Sequence, residues 1–311
     1  MHNDISQVCI NTPMVKALHA TVIQWINCGF TGGLIVGDAR MGKTKAINSL
    51  DNVVFDHNGD PIPVFRVSYG TRDKNTIRSV YATIVRRLID PISNLRTADD
   101  LLNHLLIFFT DASISNINRR IVLIIDEAQE LEVIQLYAFA ELFNELEELK
   151  VNISIFFIAN KDRFQPLAKK LLGKDSRFIR ERFFNYIYEF HGIRTIDELR
   201  RCLTFYDETP ISPSDPRSWL DYHSPKAVRA GFKITDITEM LWDLWNINYA
   251  ERFGYDSWGM TYVNRTLSIA IRDYFPQYWS PDSVILQQIF EKSLDAAGNE
   301  PTLTTVFSDE T

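Results

Sequence analysis

Short, continuous apolar runs alternate along this chain with stretches in which apolar residues return every third or fourth position. The runs are Gly32 to Val36, Val64-Phe65-Arg66-Val67, Ile121 to Ile125, Ile153 to Ile158 and Asn185 to Phe190. Runs of this length predict buried strands, whereas the three-to-four spacing predicts amphipathic helices. Thr12-Pro13 opens the first helix with proline at its first position; Met14, Leu18, Val22, Trp25 and Ile26 share a face, and Gly29 stops it. A turn at Asp56-His57-Asn58-Gly59 precedes the second strand. Asp73 is placed to cap a helix whose apolar positions are Ile77, Val80, Tyr81, Ile84, Val85 and Leu88. Another helix runs from about Ala98 to Phe109, and a longer one carries Val133, Leu136, Ala140, Phe143 and Leu146 on one stripe. Strands and helices in alternation predict an α/β domain with a parallel sheet covered on both faces.

From about Thr195 the pattern turns helical, interrupted only by the Pro/Ser-rich stretch Thr209 to Pro216. Five of the six tryptophans fall between Trp219 and Trp279, which predicts a small helical domain with its own core. The polar, acidic stretch after Ala297 predicts a disordered tail. The expected division is therefore an N-terminal helix in 1–30, an α/β core in 31–194, a helical lid in 195–296 and a tail in 297–311.

Composition adds constraints without changing the class. At 45% hydrophobic and 23% charged residues, the chain is ordinary for a globular protein. No apolar run approaches the roughly 18–20 residues of a membrane span. The first residues lack the basic start and apolar stretch of a secretory signal, so a cytoplasmic protein without membrane contact is expected. Cys9, Cys28 and Cys202 are scattered and lack C-x-x-C spacing, which argues against a disulfide framework or zinc site. The net charge of −7 excludes a surface coated in basic residues. The charge is uneven, however: residues 206–311 carry 8 Lys/Arg against 16 Asp/Glu, leaving 25 against 24 for residues 1–205. A polyanion would bind the first two-thirds of the chain.

The chemistry begins with "GDARMGKT", residues 37–44, directly behind Leu34-Ile35-Val36. Gly37 and Gly42 permit backbone angles and close approaches that let successive N–H groups cradle a pyrophosphate. Lys43 reaches the β- and γ-phosphates, and the Thr44 hydroxyl is placed to ligate Mg²⁺. A helix starting near Lys43 would add its N-terminal dipole. Asp126-Glu127 closes the most apolar strand: Asp126 can hold the Mg²⁺ shell through water, and Glu127 can polarise a water against the γ-phosphate. Between the loop and Asp126 there is room for a strand and two helices, which puts one strand between the two motif strands. Asn160, ending the next strand, can orient that water. In "DSRFIRERF", residues 175–183, an arginine could reach a neighbouring subunit's nucleotide, Arg182 first and Arg177 second.

Together these elements resemble an AAA+ ATPase, and more narrowly the transposition regulators of the TniB/TnsC family. The resemblance covers roughly residues 8–205 and rests on the helix ending in "QWI", "VGDARMGKT", "VLIIDEAQEL", "FFIAN" and "ERF". It implies an AAA+ P-loop NTPase fold with a parallel five-stranded sheet flanked by helices and a smaller C-terminal helical lid. The implied cofactors are ATP and Mg²⁺. The implied function is an ATPase that binds double-stranded DNA, assembles with itself into a ring or helical filament, and links a target-selection protein to a transposase. Lys45 and Ile10 join the nucleotide-binding residues on this reading, and Arg265 in "GMTYVNRTLSIAIRDYF" resembles a second sensor on a lid helix. Arg72, Lys74 and Arg78 in "SYGTRDKNTIR" would face the DNA in the channel. The Trp-rich stretch does not match the family pattern. The competing readings are an AAA+ motor of a secretion or envelope system, a small-molecule kinase, and a nucleotide-gated adaptor with little turnover. A helicase reading of "DEAQ" fails because a second sheet domain would need about 150 more residues.

Overall fold

The computed structural model describes residues 10–52, 54–56, 58–71, 75–89, 97–212 and 214–299. The chain divides into two compact units: Ala17–Asp38 with Lys43–Phe190, and Met1–Lys16 with Ala39–Gly42 and His191–Thr311. The α/β unit ends at Phe190, and Ala39–Gly42 of the loop groups with the C-terminal helical region.

The first unit holds five parallel strands: β1 (Gly32–Gly37), β2 (Val64–Ser68), β3 (Arg120–Asp126), β4 (Asn152–Asn160) and β5 (Ile187–Glu189). Their order is β2-β3-β4-β1-β5. The strand between the two motif strands is therefore β4. The strand that intervenes in sequence, β2, crosses over to the far edge, because it pairs only with β3. β3 is buried at every position from Ile121 to Ile125, and β4 from Ile153 to Ala159, as a strand covered on both faces must be. β5 is shorter than the expected Asn185–Phe190. It lies at the sheet edge, and Tyr186 beside it stacks on Phe30 at 3.7 Å.

The helices of this unit follow the apolar spacing. They are α1 (Pro13–Asn27, its first turn in the other unit), α2 (Lys43–Asn48), α3 (Ile77–Leu88), α4 (Ala98–Ser113), α5 (Val133–Glu148), α6 (Lys161–Leu171) and α7 (Arg177–Phe183). Thr76, not Asp73, caps α3: its side chain accepts from Ser79 N, and the Ser79 hydroxyl oxygen accepts from Thr76 N. Asp73 lies outside the described residues. At the expected turn Gly59 has φ +85°, and Asp56 Oδ1 accepts from Asn58 N and Asp60 N; His57 is outside the described residues.

The second unit is mainly helical among the described residues. Thr195 caps α8 (Ile196–Glu208), but the Pro/Ser-rich stretch pairs as an antiparallel ribbon of β6 (Pro210–Ser212) and β7 (Asp215–Ser218). The tryptophans do build a core, since Trp219, Trp245 and Trp258 are buried and the last two stack at 5.4 Å. The expected tail begins as ordered chain. Asn299 is buried and its Oδ1 accepts from Trp258 Nε1 at 2.9 Å, which ties it to the helical core. The helix Met260–Ser268 widens into π-helix over Ile269–Tyr274 ahead of Pro276, whose missing N–H and ring disturb the preceding turn. No helix among the described residues is long and apolar enough to cross a membrane.

Candidate nucleotide site

Strand register brings the motif residues to one edge of the sheet. Gly37 pairs with Asn160 across β1 and β4, and Ile125 pairs with Phe157, so the loop, Asp126 and Asn160 all leave from adjacent carboxyl ends. That edge is where ligands bind in open α/β sheets. Gly37 cannot be replaced, because a Cβ there would lie 2.2 Å from Phe190 O. Gly42 has φ +103°, which L side chains rarely adopt. His19 on α1 holds the short α2, with Nε2 2.8 Å from Ala46 O.

Lys43 and Thr44 are both tied to groups of the chain itself. Lys43 Nζ turns back onto the loop and donates to the carbonyls of Gly37 (2.6 Å) and Asp38. Burial pulls the Lys43 ammonium below the usual lysine range, opposed by Asp38, Glu127 and Asp126. Thr44 Oγ1 donates to Asp126 Oδ2 at 3.1 Å, and Glu127 N donates to Asp126 Oδ1 at 2.9 Å. Burial raises the Asp126 carboxyl above the usual range despite these two donors. A half-buried ammonium beside a carboxylate–hydroxyl pair fits a polyphosphate with Mg²⁺. Thr44 and Asp126 would supply protein oxygens, and the remaining ligands would be phosphate and water.

A carboxyl whose folded pKa is raised costs nothing below its unfolded value, where both states are protonated. The cost grows as pH rises through the folded pKa. Asp126→Asn should therefore raise the melting temperature of the nucleotide-free protein at neutral pH, with an advantage that shrinks toward pH 4. Calorimetry across that range checks the sign; an advantage that grows on acidification contradicts it.

Glu127 follows at φ 59°, ψ 41°, a left-handed conformation that is uncommon outside glycine. Its Oε2 accepts from Gln129 Nε2, and Gln129 Oε1 accepts from Asn160 N at 3.0 Å. Asn160 is the cap of α6 through Oδ1, which accepts from Arg163 N at 3.0 Å; this bond uses the oxygen and not the amide nitrogen. Turn former and water-orienting donor are thus compatible roles for one side chain.

The arginines separate. Arg182 is clasped by α5: its guanidinium donates to Asn144 Oδ1 at 2.5 Å and sits 4.7 Å from the Phe143 ring centroid. Arg180 donates to Leu171 O. Arg177 is 72% exposed and makes an i,i+4 ion pair with Glu181, a contact of low energy at the surface. Arg182 would have to leave its contacts with Asn144 and Phe143 before it reached another chain, whereas Arg177 is exposed. Ile10 is buried in the unit that holds the C-terminal helices, Arg265 is exposed on Met260–Ser268, and Lys45 is exposed on α2. Arg78 is exposed on the first turn of α3, and Arg72 and Lys74 lie outside the described residues.

Two residues of the quoted motifs carry contacts that their spacing did not reveal. One is Gln129 in "DEAQ". The other is Arg40, which takes a left-handed φ of +63° at the loop tip. Within its unit, Arg40 O accepts from Thr261 N at 3.3 Å and its guanidinium donates to Tyr262 Oη at 3.1 Å. The signal for Arg40 was a large residue at a turn position where glycine is the easier choice.

A five-stranded parallel sheet in this order, with the phosphate loop behind β1, acidic residues closing β3 and a helical region following, is the fold of an AAA+ P-loop ATPase. The AAA domain family (AAA_22) matches residues 30–167. Among solved structures the chain is similar to the ORC2 protein of Aeropyrum pernix in ADPNP–ADP complexes. The two share 14% identity at a TM-score of 0.58, over 96% of this chain and 71% of that one. It is also similar to Cdc6p from Pyrobaculum aerophilum (13% identity, TM-score 0.42, 95% and 84% covered). A further match is to Drosophila ORC bound to DNA (14% identity, TM-score 0.35, 57% and 89% covered). No curated protein sequence matches the chain.

Proposed function

We propose that the protein is an ATP-hydrolysing, DNA-binding AAA+ regulator that assembles with itself and acts in transposition, linking a target-selection protein to a transposase. The observation that carries the ATPase reading is the meeting of Lys43, the Thr44–Asp126 pair, Glu127 and Asn160 at neighbouring strand ends. The nucleotide complexes of the Aeropyrum pernix neighbour support it, and the TniB/TnsC-like motifs support the narrower role. On this reading Lys43 binds the β- and γ-phosphates in place of its loop carbonyls, while Thr44 and Asp126 would hold Mg²⁺, which would supply charge neutralisation at the phosphates. Glu127 takes a proton from a water whose oxygen attacks the γ-phosphorus as the bond to the β-phosphate oxygen breaks, giving ADP and phosphate. Arg177 of an adjacent subunit would neutralise charge in that step.

DNA contact is assigned to Arg72, Lys74 and Arg78 behind β2. One subunit would supply two or three phosphate contacts, too few for tight binding; a ring or filament repeats them along a duplex. Electron microscopy with ATP, with and without duplex DNA, should show an ordered assembly that tracks the duplex. Arg72→Ala combined with Lys74→Ala should weaken DNA binding equally for all sequences and flatten its salt dependence, with ATP binding retained. A double variant with the parent's affinity and salt slope would move the DNA contacts elsewhere.

A further inference from the structure

A glutamine side chain carries a donor and an acceptor on one rigid amide, so it can tie two groups together at a set separation. Gln129 does this between the two residues proposed to handle the attacking water. Its Nε2 donates to Glu127 Oε2, and its Oε1 accepts from the backbone N–H of Asn160 at 3.0 Å. The turn that carries it, Ala128–Glu130, is pinned on its other flank. Glu130 pairs with Arg163 in the first turn of α6 and accepts from Thr71 Oγ1 at 2.8 Å. Arg163 N in turn donates to Asn160 Oδ1. The end of β4, the start of α6 and the carboxylate of Glu127 therefore form one connected set of polar contacts, and Glu127 holds a left-handed backbone within it.

We propose that Gln129 is a positioning residue for ATP hydrolysis: it fixes the Glu127 carboxylate relative to Asn160, so that base and water-orienting amide keep one geometry. The chemistry needs this because Glu127 follows the end of β3 and Asn160 ends β4. Asn160 is held in the ladder opposite Gly37, whereas Glu127 lies beyond the end of β3 and needs a tether of its own, since a misplacement of about 1 Å costs on the order of a hundredfold in rate. Asparagine would be one methylene too short to span both partners. Only one oxygen of Glu127 is taken by the glutamine, which leaves Oε1 to receive a proton.

The inference rests on the ATPase reading, and the test separates the two. Steady-state ATP hydrolysis is measured for the parent, Gln129→Met and Gln129→Glu, together with ATP affinity and melting temperature. Methionine keeps the length and loses both hydrogen bonds. Glutamate keeps an acceptor for Asn160 N–H but places a second carboxylate against Glu127. The expected order of kcat is parent, then methionine about tenfold lower, then glutamate lower still, with KM for ATP within about twofold of the parent. If glutamate matches the parent while methionine fails, the acceptor toward Asn160 matters and the glutamine is only structural. Equal kcat in all three also overturns the inference. A parent that binds ATP and never hydrolyses it, with or without duplex DNA, overturns the ATPase reading itself.

Discussion

Lys43→Ala protein is expected to lose ATP binding, with affinity at least about a hundredfold below the parent's by calorimetry. The ammonium makes two short bonds to the loop carbonyls of Gly37 and Asp38, and a phosphate is the stronger acceptor for the same donors. Charge-assisted hydrogen bonds are worth about 1.5–3 kcal/mol each, so two of them account for the loss. Folding should survive. Burial already disfavours this ammonium, so removing it relieves a desolvation cost in the nucleotide-free protein. Assembly that depends on ATP should disappear with binding. The same variant tests whether the site is shared between subunits. Mixed with Arg177→Ala protein, it should recover part of the hydrolysis, because one mixed interface joins an intact loop to an intact arginine. No recovery in oligomers that demonstrably mix would leave Arg177 with no role in trans, and equal ATP affinity in Lys43→Ala and parent would remove the loop from the mechanism.

Glu127→Gln protein is expected to bind ATP normally and hydrolyse it at least about a hundredfold more slowly. The substitution keeps volume and the hydrogen-bonding oxygen toward Gln129, but an amide cannot take the proton from water. The Thr44–Asp126 pair and the loop are untouched, so affinity should stay within about twofold of the parent. ATP-dependent assemblies should persist far longer in this variant, since the step that would dissolve them is blocked. Single-turnover measurement separates chemistry from product release. A chemical step at the parent's rate would assign the base to another residue.

Much of this was legible along the chain because its signals are local. A phosphate-loop motif needs glycines at a set spacing with a lysine and a hydroxyl beside them, and Gly37, Gly42, Lys43 and Thr44 meet this within residues 37–44. Buried parallel strands must be apolar throughout, which marks Ile121–Ile125 and Ile153–Ile158 without any partner in view. The α1 boundaries follow from Pro13 and Gly29, and Pro13 needs no donor at the first helical position. Element ends were less legible. The cap of α3 passed to Thr76 because Thr and Ser three residues apart close a reciprocal box. The Pro/Ser-rich stretch forms a short antiparallel ribbon although its residues are poor strand formers, and no local pattern of residue types marks that pairing.

The sequence by itself determined the phosphate loop, the acidic strand end, the alternation of strand and helix and the apolar faces, since each depends on neighbours within about one turn or one strand. Tertiary structure alone decided that β4, not β2, lies between the motif strands, and that Gly37 and Asn160 are register partners. It also decided that Arg182 is clasped against Phe143 and Asn144 while Arg177 stays exposed, and that Gln129 spans from Glu127 to Asn160. These facts concern pairs of residues far apart in sequence. Their separation in space is set by strand crossovers and side-chain packing, and no short pattern of residue types encodes it.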